Sequence, residues 1–472
     1  MCVGSHGGPV FSSEFGWTAE PIAILTIDIS RNGSQSMKYS RLAVAFAVAG
    51  LAGVHLALAE SHLDQPASVV PASLDYESYY AQDAEPASPS DQAAPAPATA
   101  TGHVDACDGD CGDCSCGRSD CAWCSDLGDP WSLWDELHPS SDYHVGGWFQ
   151  LGYHDESNGL MNQHPDNVNL QQGWAYLEKK VDADDYSWDW GGRADVLYGV
   201  DAQDTQAFGN NPGRWDYLNG FDFGSYGWAI PQAYVDLAYG DWKITLGKFY
   251  TLVGYEVVAA PDNFFYSHAF TQYNSEPFTH TGGFVTYSAG NDVQLFGGWT
   301  AGWDTGYDQL GQGSSFLGGF STPLVENVTL TYISTAGDFG WRGRDAYSHS
   351  LVFDATITEK LNYIIESDLV RVGSTGEDNI GINQYLIYTV NDCLGIGARV
   401  EWWKADGVTD FRNGGRILQA VPPGSHSYYA ATFGVNIKPR ANLILRPEVR
   451  QEWTPFNNDS ETIFGVDAIA LW

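Results

Sequence analysis

The sequence predicts an all-β chain, a transmembrane antiparallel up-and-down β-barrel of about 16 strands behind a disordered N-terminal spacer. Three observations carry this expectation. From about residue 143 onward, segments of roughly ten residues alternate apolar with polar side chains. The connections between these segments sort by length, short then long. The chain closes on GVDAIALW, a period-2 segment that ends at Trp472.

Composition narrows the class. The 472 residues carry 59 Asp+Glu against 22 Lys+Arg, a formal net charge of −37. Binding phosphate backbones needs a basic footprint, so nucleic acid is excluded as a partner. The charge suits a solvated acidic exterior or an acidic channel wall. Aromatic residues make up 14% of the chain, Gly numbers 53, Met only 3, and no long amphipathic helical pattern appears. That mixture favours strands. A mean hydropathy of −0.25 is too polar for a bundle of membrane helices. It suits a barrel whose strands face lipid on one side and water on the other.

The N-terminal quarter divides into segments. Residues 38–59, KYSRLAVAFAVAGLAGVHLALA, hold a positive start (Lys38, Arg41), an apolar run and the small-residue site Ala57-Leu58-Ala59. This is an export signal, too short and too weakly flanked for a membrane span. Met37 stands where such a signal begins, so 37–59 is the signal and 1–36 is expected to be an upstream translation artefact. Residues 60–105 are rich in Ala, Pro, Ser, Asp and Gln. They offer too little apolar surface to offset chain entropy and are expected to be a disordered spacer. Residues 106–125 hold Cys107, Cys111, Cys114, Cys116, Cys121 and Cys124. Disulfides are the default in an exported chain. Bound metal and intermolecular bridging stay open, and the connectivity is not readable from the spacing.

The barrel is expected over 140–472. Its strands start near Tyr143, Leu170, Tyr186, Tyr226, Trp242, Thr281, Asp292, Ser315, Val325, Ala346, Leu361, Ile380, Cys393, Ser427, Ala441 and Thr462. In LGIGARVEWW (394–403), Leu394, Ile396, Ala398, Val400 and Trp402 share one face, and Gly395, Gly397, Arg399, Glu401 and Trp403 the other. Two different solvents on the two faces require that period. Tight turns such as Gly240-Asp241 and Asn391-Asp392 follow the even strands, while long polar loops follow the odd ones. Sorting by parity places the short turns on one rim and the loops on the other. Trp148, Trp174, Trp228, Trp242, Trp299, Trp402 and Trp453 lie near strand ends and read as interfacial girdles.

A ring of about sixteen strands is wide enough for a water-filled lumen. The inward faces then carry Arg193, Asp195, Asp236, Lys243, Gln294, Thr329, Thr331, Asp354, Glu366, Asp368, Arg399, Glu401, Arg446, Glu448 and Arg450. Charges there are expected to line water; a plugging network of ion pairs is the alternative. The third long loop, 251–282, is unusually apolar and aromatic. Folding back into the lumen explains that composition and places Glu256, Asp262 and Glu276 at a constriction. Acidic rings favour cations, with Arg399, Arg446 and Arg450 standing opposite.

The stretches GKFYTLVGYEVVAAPDNFFYSHAF (247–270), NSEPFTHTG (274–282) and GGWTAGWDTGYD (297–308) resemble the putative β-barrel porin-2 (OmpL-like) family. The likeness covers most of 140–472. It implies a bacterial outer-membrane channel for small hydrophilic solutes or ions, with no catalytic residue to carry over and no cofactor. Its implied partners are membrane lipid, the solutes, the barrel-assembly machinery that reads a C-terminal aromatic strand, and, as in many porins, further copies in a homo-oligomer. The cysteine cluster and the spacer lie outside the family's barrel.

Three rivals remain. An enzyme is disfavoured: Ser267-His268 diverge if in a strand, and neither G-x-S-x-G nor H-E-x-x-H is present. A non-conducting structural barrel, or a secreted soluble protein that binds glycans through aromatics, are the others.

Overall fold

The computed structural model describes residues 127–182, 187–308, 313–406 and 424–472. The leader, the export signal, the spacer and the six-cysteine segment expected from the sequence lie outside the described residues.

Seventeen strand segments form one antiparallel sheet. In chain order they are β1 (His144–His154), β2 (Asn169–Lys179), β3 (Trp188–Gly199), β4 (Gly227–Ala229), β5 (Ala233–Tyr239), β6 (Trp242–Tyr250), β7 (Thr279–Ser288), β8 (Gln294–Trp303), β9 (Ser314–Val325), β10 (Val328–Asp338), β11 (Ala346–Thr358), β12 (Leu361–Val372), β13 (Glu377–Asn391), β14 (Leu394–Ala405), β15 (His426–Arg440), β16 (Leu443–Thr454) and β17 (Asp459–Leu471). β4 and β5 pair with successive stretches of β3 and make one stave, so the ring has sixteen. The break falls at Ile230-Pro231-Gln232, where proline removes a ladder donor. Local substitutes fill in: Ile230 donates its N–H to Asp216 (2.8 Å), and the Gln232 carbonyl accepts from Asp195 N (3.0 Å).

The ring is closed. β1 pairs with β17 as well as β2, with Phe149 opposite Ala470 and Tyr153 opposite Val466. Trp472 and Gly147 exchange backbone hydrogen bonds of 3.0 and 3.2 Å at the seam. The sixteen staves begin within three residues of the positions that the alternation marks. Short connections gather on one rim, where Gly240 (φ 52°) and Asn327 (φ 66°) adopt the left-handed conformation that tight hairpins demand.

The outer face is an apolar belt, with Phe149, Leu151, Trp190, Val196, Leu246, Phe433, Val449 and Phe464 among its exposed side chains. Trp228, Trp242 and Trp299 are exposed as girdle residues should be. Trp148 and Trp174 are not girdle residues. They are buried, and their rings stack at 4.6 Å. Their parity decides this: Trp148 shares a face with Gln150 and His154, and sits opposite Trp174 across the ladder. Their indole N–H groups donate to Gln172 (2.9 Å) and Asp195 (3.0 Å). Proximity to a strand end is a weaker guide than the face a residue occupies.

The two faces predict opposite responses to charge. Leu246→Arg on the outer face should lower stability by about 2–4 kcal/mol, against about 1 kcal/mol or less for Thr329→Arg on the inner face. Denaturant titration of both variants folded in lipid vesicles measures the difference.

Candidate functional site

The loop from Thr251 to Phe278 leaves β6, turns inward and returns to β7. It contains a one-turn helix, Ala260–Asp262, and a five-residue helix, Phe270–Asn274. Of its residues only Gly254 and Tyr255 are not buried. A backbone held inside a barrel must find partners for its polar groups. Here the barrel wall supplies them, and this explains why the loop is apolar yet the wall facing it is charged.

The wall presents carboxylates to the loop's N–H groups. Glu448 on β16 accepts from Tyr266 N and Ser267 N, each at 2.9 Å. Glu401 on β14 accepts from Phe270 N (2.8 Å), and Glu366 on β12 from Tyr255 N (2.6 Å). Asp304, beyond β8, accepts from Phe278 N at 2.7 Å. Arginines take the carbonyls. The Arg446 guanidinium donates to Ala260 O (2.8 Å), Asn263 O (2.5 Å) and Phe265 O (3.2 Å) while it pairs with Asp467. Arg399 donates to Ser267 O (2.7 Å) and Ser267 Oγ (2.9 Å).

Glu256 of the loop enters an alternating chain of charge. Its Oε1 lies 2.6 Å from Arg399 Nη1, and Arg399 Nε lies 2.7 Å from Glu401. Arg450 contacts Glu401 on one side and Glu452 (2.5 Å) on the other. Burial alone would raise the Glu256 carboxyl. The Arg399 guanidinium, the His268 imidazole and the Ala269 N–H more than offset burial and hold it at about 2. Glu276 goes the other way: burial and the nearby carboxylates of Asp368 and Glu366 push it well above the ordinary range.

The expected site residues therefore sort into groups. Glu256, Arg399, Glu401 and Arg450 are brought together, and Arg446 and Glu448 hold the same loop from β16. Glu276 joins Glu366 and Asp368 instead. Asp262 lies buried in the Ala260–Asp262 turn. Arg193 and Asp195 form a separate knot on β3: they pair at 2.8 Å, and Arg193 lies 4.0 Å over the Tyr176 ring. All ten are 0–8% exposed. The wall charges face inward as expected, but they bind loop and one another rather than standing in open water.

Sequence reasoning missed the neutral anchors and the apolar half of the inner wall. Gln172 donates to Val258 O (2.8 Å) and accepts from Ala260 N (3.1 Å); Tyr385 donates to Glu256 (3.1 Å). Phe249, Phe284, Phe296, Leu317 and Ile333 point inward and pack against Leu252 and Val253 at the loop's start. Parity held the signal: Phe296 shares a face with Gln294, already read as inward. Ser267 and His268 are loop anchors here, with His268 Nδ1 3.5 Å from Glu256.

The model of the putative beta-barrel porin-2, OmpL-like family matches residues 142–471. No curated protein matches the chain. Among solved structures, the outer membrane channel DcaP of Acinetobacter baumannii is similar at 11% identity and TM-score 0.47, covering 70% of this chain and 97% of that one. OmpT of Vibrio cholerae in its trimer form is similar at 11% identity and TM-score 0.45, covering 70% and 99%. A mutant of the Rh. blastica porin is similar at 12% identity and TM-score 0.43, covering 70% and 100%.

Removing one guanidinium tests the clamp. Arg399→Ala strands Glu256 and Glu401 as buried, under-compensated carboxylates, which should cost about 3–5 kcal/mol. Hydrogen exchange should accelerate across 251–278 and leave the β1–β17 seam protected. Uniform acceleration around the ring would show that Arg399 supports the barrel rather than the loop.

Proposed function

This chain belongs to the putative beta-barrel porin-2, OmpL-like family, and from that membership we propose that it is a channel for passive diffusion of small hydrophilic solutes or ions, with a preference for cations. It is a porin-like outer-membrane barrel. The position of the loop carries this reading. It is bound from β12 through β17 and by β1–β2 side chains, so the barrel is narrowed from one side.

The inner wall opposite keeps half-exposed groups. Lys243, Gln294, Thr329, Thr331 and Asp354 all face inward and are all partly accessible toward the short-turn rim. Tyr255, with Gly254 the loop's most accessible stretch, packs on the Tyr385 ring of β13 with centroids 4.8 Å apart. A route along this wall is lined by the Thr329 and Thr331 hydroxyls, the Gln294 amide and the Asp354 carboxylate, with the Lys243 ammonium among them, and the oxygens replace part of an ion's hydration shell. The formal charge of −37 favours cations at the mouths. Homo-oligomer assembly in the bacterial outer membrane, after export by the residue 37–59 signal, belongs to the same proposal.

The burial of the loop and of the charged wall also favours a second reading, a non-conducting structural barrel. Conductance separates the two. In a planar bilayer the protein should give discrete current steps and a cation-favouring reversal potential under a KCl gradient. Insertion without current would leave the structural barrel, and an anion-favouring reversal would overturn the selectivity.

A further inference from the structure

Three buried carboxylates outside the arginine clamp converge where the loop returns to the wall. Glu276 stands just before β7, and Glu366 and Asp368 share the inward face of β12. Each is 1% exposed. Each offers an oxygen, and the three oxygens lie within 4.8 Å of one another. Among the described residues, no Lys or Arg lies within ion-pair distance of Glu366 or Asp368. Burying several like charges this closely is costly unless something compensates them.

Independent orphans sit around the trio. The Ser350 and Thr271 hydroxyls lie near the Asp368 carboxylate, but neither of its oxygens has a partner in good hydrogen-bond geometry. Ser350, directly opposite Asp368 on β11 and 2% exposed, leaves its Oγ without one. Asn383 on β13, opposite Glu366 and fully buried, donates its Nδ2 to Glu366 (2.9 Å) and to Thr271 Oγ1 (2.6 Å). Its Oδ1 has no partner. Buried polar atoms without partners are rare enough to need a cause. Here they cluster, and all are oxygens.

We propose that Glu276, Glu366 and Asp368, with the Ser350 hydroxyl and the Asn383 amide oxygen, form a Ca²⁺-class divalent cation site that fastens the loop to the barrel wall. The donor set is hard and all oxygen, which suits Ca²⁺ and disfavours Zn²⁺ and Cu²⁺. Two oxygens bound to one Ca²⁺ at about 2.3–2.6 Å lie at most about 5 Å apart, and the trio meets that limit as it stands. Six to eight oxygens are wanted, and bidentate carboxylates raise five donor groups to that number. The donors come from the loop and from three neighbouring strands, so one ion ties the loop's C-terminal root to β11, β12 and β13. The loop's start is packed against the same point: a Cβ on Gly254 (φ 96°) would fall 1.8 Å from Glu276 Oε2. Glycine is required there by both the conformation and the close approach. The inference does not depend on the channel reading, because its readout is binding.

The test uses the full chain folded in detergent, stripped with a chelator and titrated with Ca²⁺ alone in a calorimeter. One saturable site per chain is expected beyond weak surface binding. Asp368→Asn should weaken it by about 100-fold, since ligand charge tunes affinity over decades. Asp459→Asn, an exposed carboxylate at the start of β17, should leave it unchanged. Ca²⁺ should also slow hydrogen exchange across 270–278 in the parent and not in Asp368→Asn. If Asp368→Asn does not fold, Ser350→Ala removes only a neutral donor and should weaken binding by about 10-fold. No saturable site, or equal binding in the parent and the trio variants, would overturn the proposal and leave protons as the compensating charge.

Discussion

Closure of the sheet is the constraint from which the rest follows. In hydrocarbon an unpaired strand edge leaves a row of N–H and C=O groups without water, so the first and last staves must meet. They meet along seven register pairs between β1 and β17, with Trp472 and Gly147 completing the seam. Once the ring is closed, each strand has one face in lipid and one in the lumen, and the period-2 alternation along the chain becomes an inside and an outside. A one-residue slip would carry Arg399 and Glu401 into lipid and Val400 into the lumen. The charges thus enforce the register that the closure needs.

The lumen inherits a second accounting problem from the first. A loop of mostly apolar and aromatic composition gains by leaving water, but its backbone gains nothing unless its polar groups are met. The wall answers with formal charges rather than neutral groups. Carboxylates accept the loop's N–H groups, and Arg446 alone takes three of its carbonyls. Charge-assisted hydrogen bonds are the strong ones, and a guanidinium meets several oxygens at fixed geometry. Each such charge is buried, so each is itself balanced, as Asp467 balances Arg446 and Glu401 balances both Arg399 and Arg450. The alternation of sign along Glu256, Arg399, Glu401, Arg450 and Glu452 keeps desolvation from dominating.

Much of this is legible in the sequence alone. The stave positions, the closing strand and the identity of the inward charged residues all follow from alternation, because a barrel has two environments and a chain of period 2 must obey both. That the loop enters the lumen was legible from its composition. What the inward charges do there was not. Arg399 read from sequence is a charge that faces inward; only the position of Ser267 O and Glu256 makes it an anchor rather than a water-lining group. The tryptophans show the same limit. Trp299 and Trp148 both sit near strand ends, but their faces differ, and Trp148 ends against Trp174 inside. The break at Ile230-Pro231-Gln232 depends on Asp216, which lies fourteen residues before Ile230 and comes into reach only through the fold.

The inner wall is divided, and the division decides where a solute has room. The side from β12 to β17 is charged and wholly engaged with the loop. The side from β6 to β10 is apolar at the height of the loop, where Phe284, Phe296, Leu317 and Ile333 pack on Leu252 and Val253, and polar nearer the short-turn rim. A loop bound to one wall by buried charges, and to the other by apolar contact with polar ties only at its two ends, has unequal seams. The charged seam is fixed by bonds whose loss strands buried charge. Between those ends the apolar seam is held by contact area, about 25 cal/mol per Å². Widening of the lumen therefore costs least on the apolar side, beside Leu252 and Val253. Parting there leaves intact both the arginine clamp and the Tyr255–Glu366 hydrogen bond.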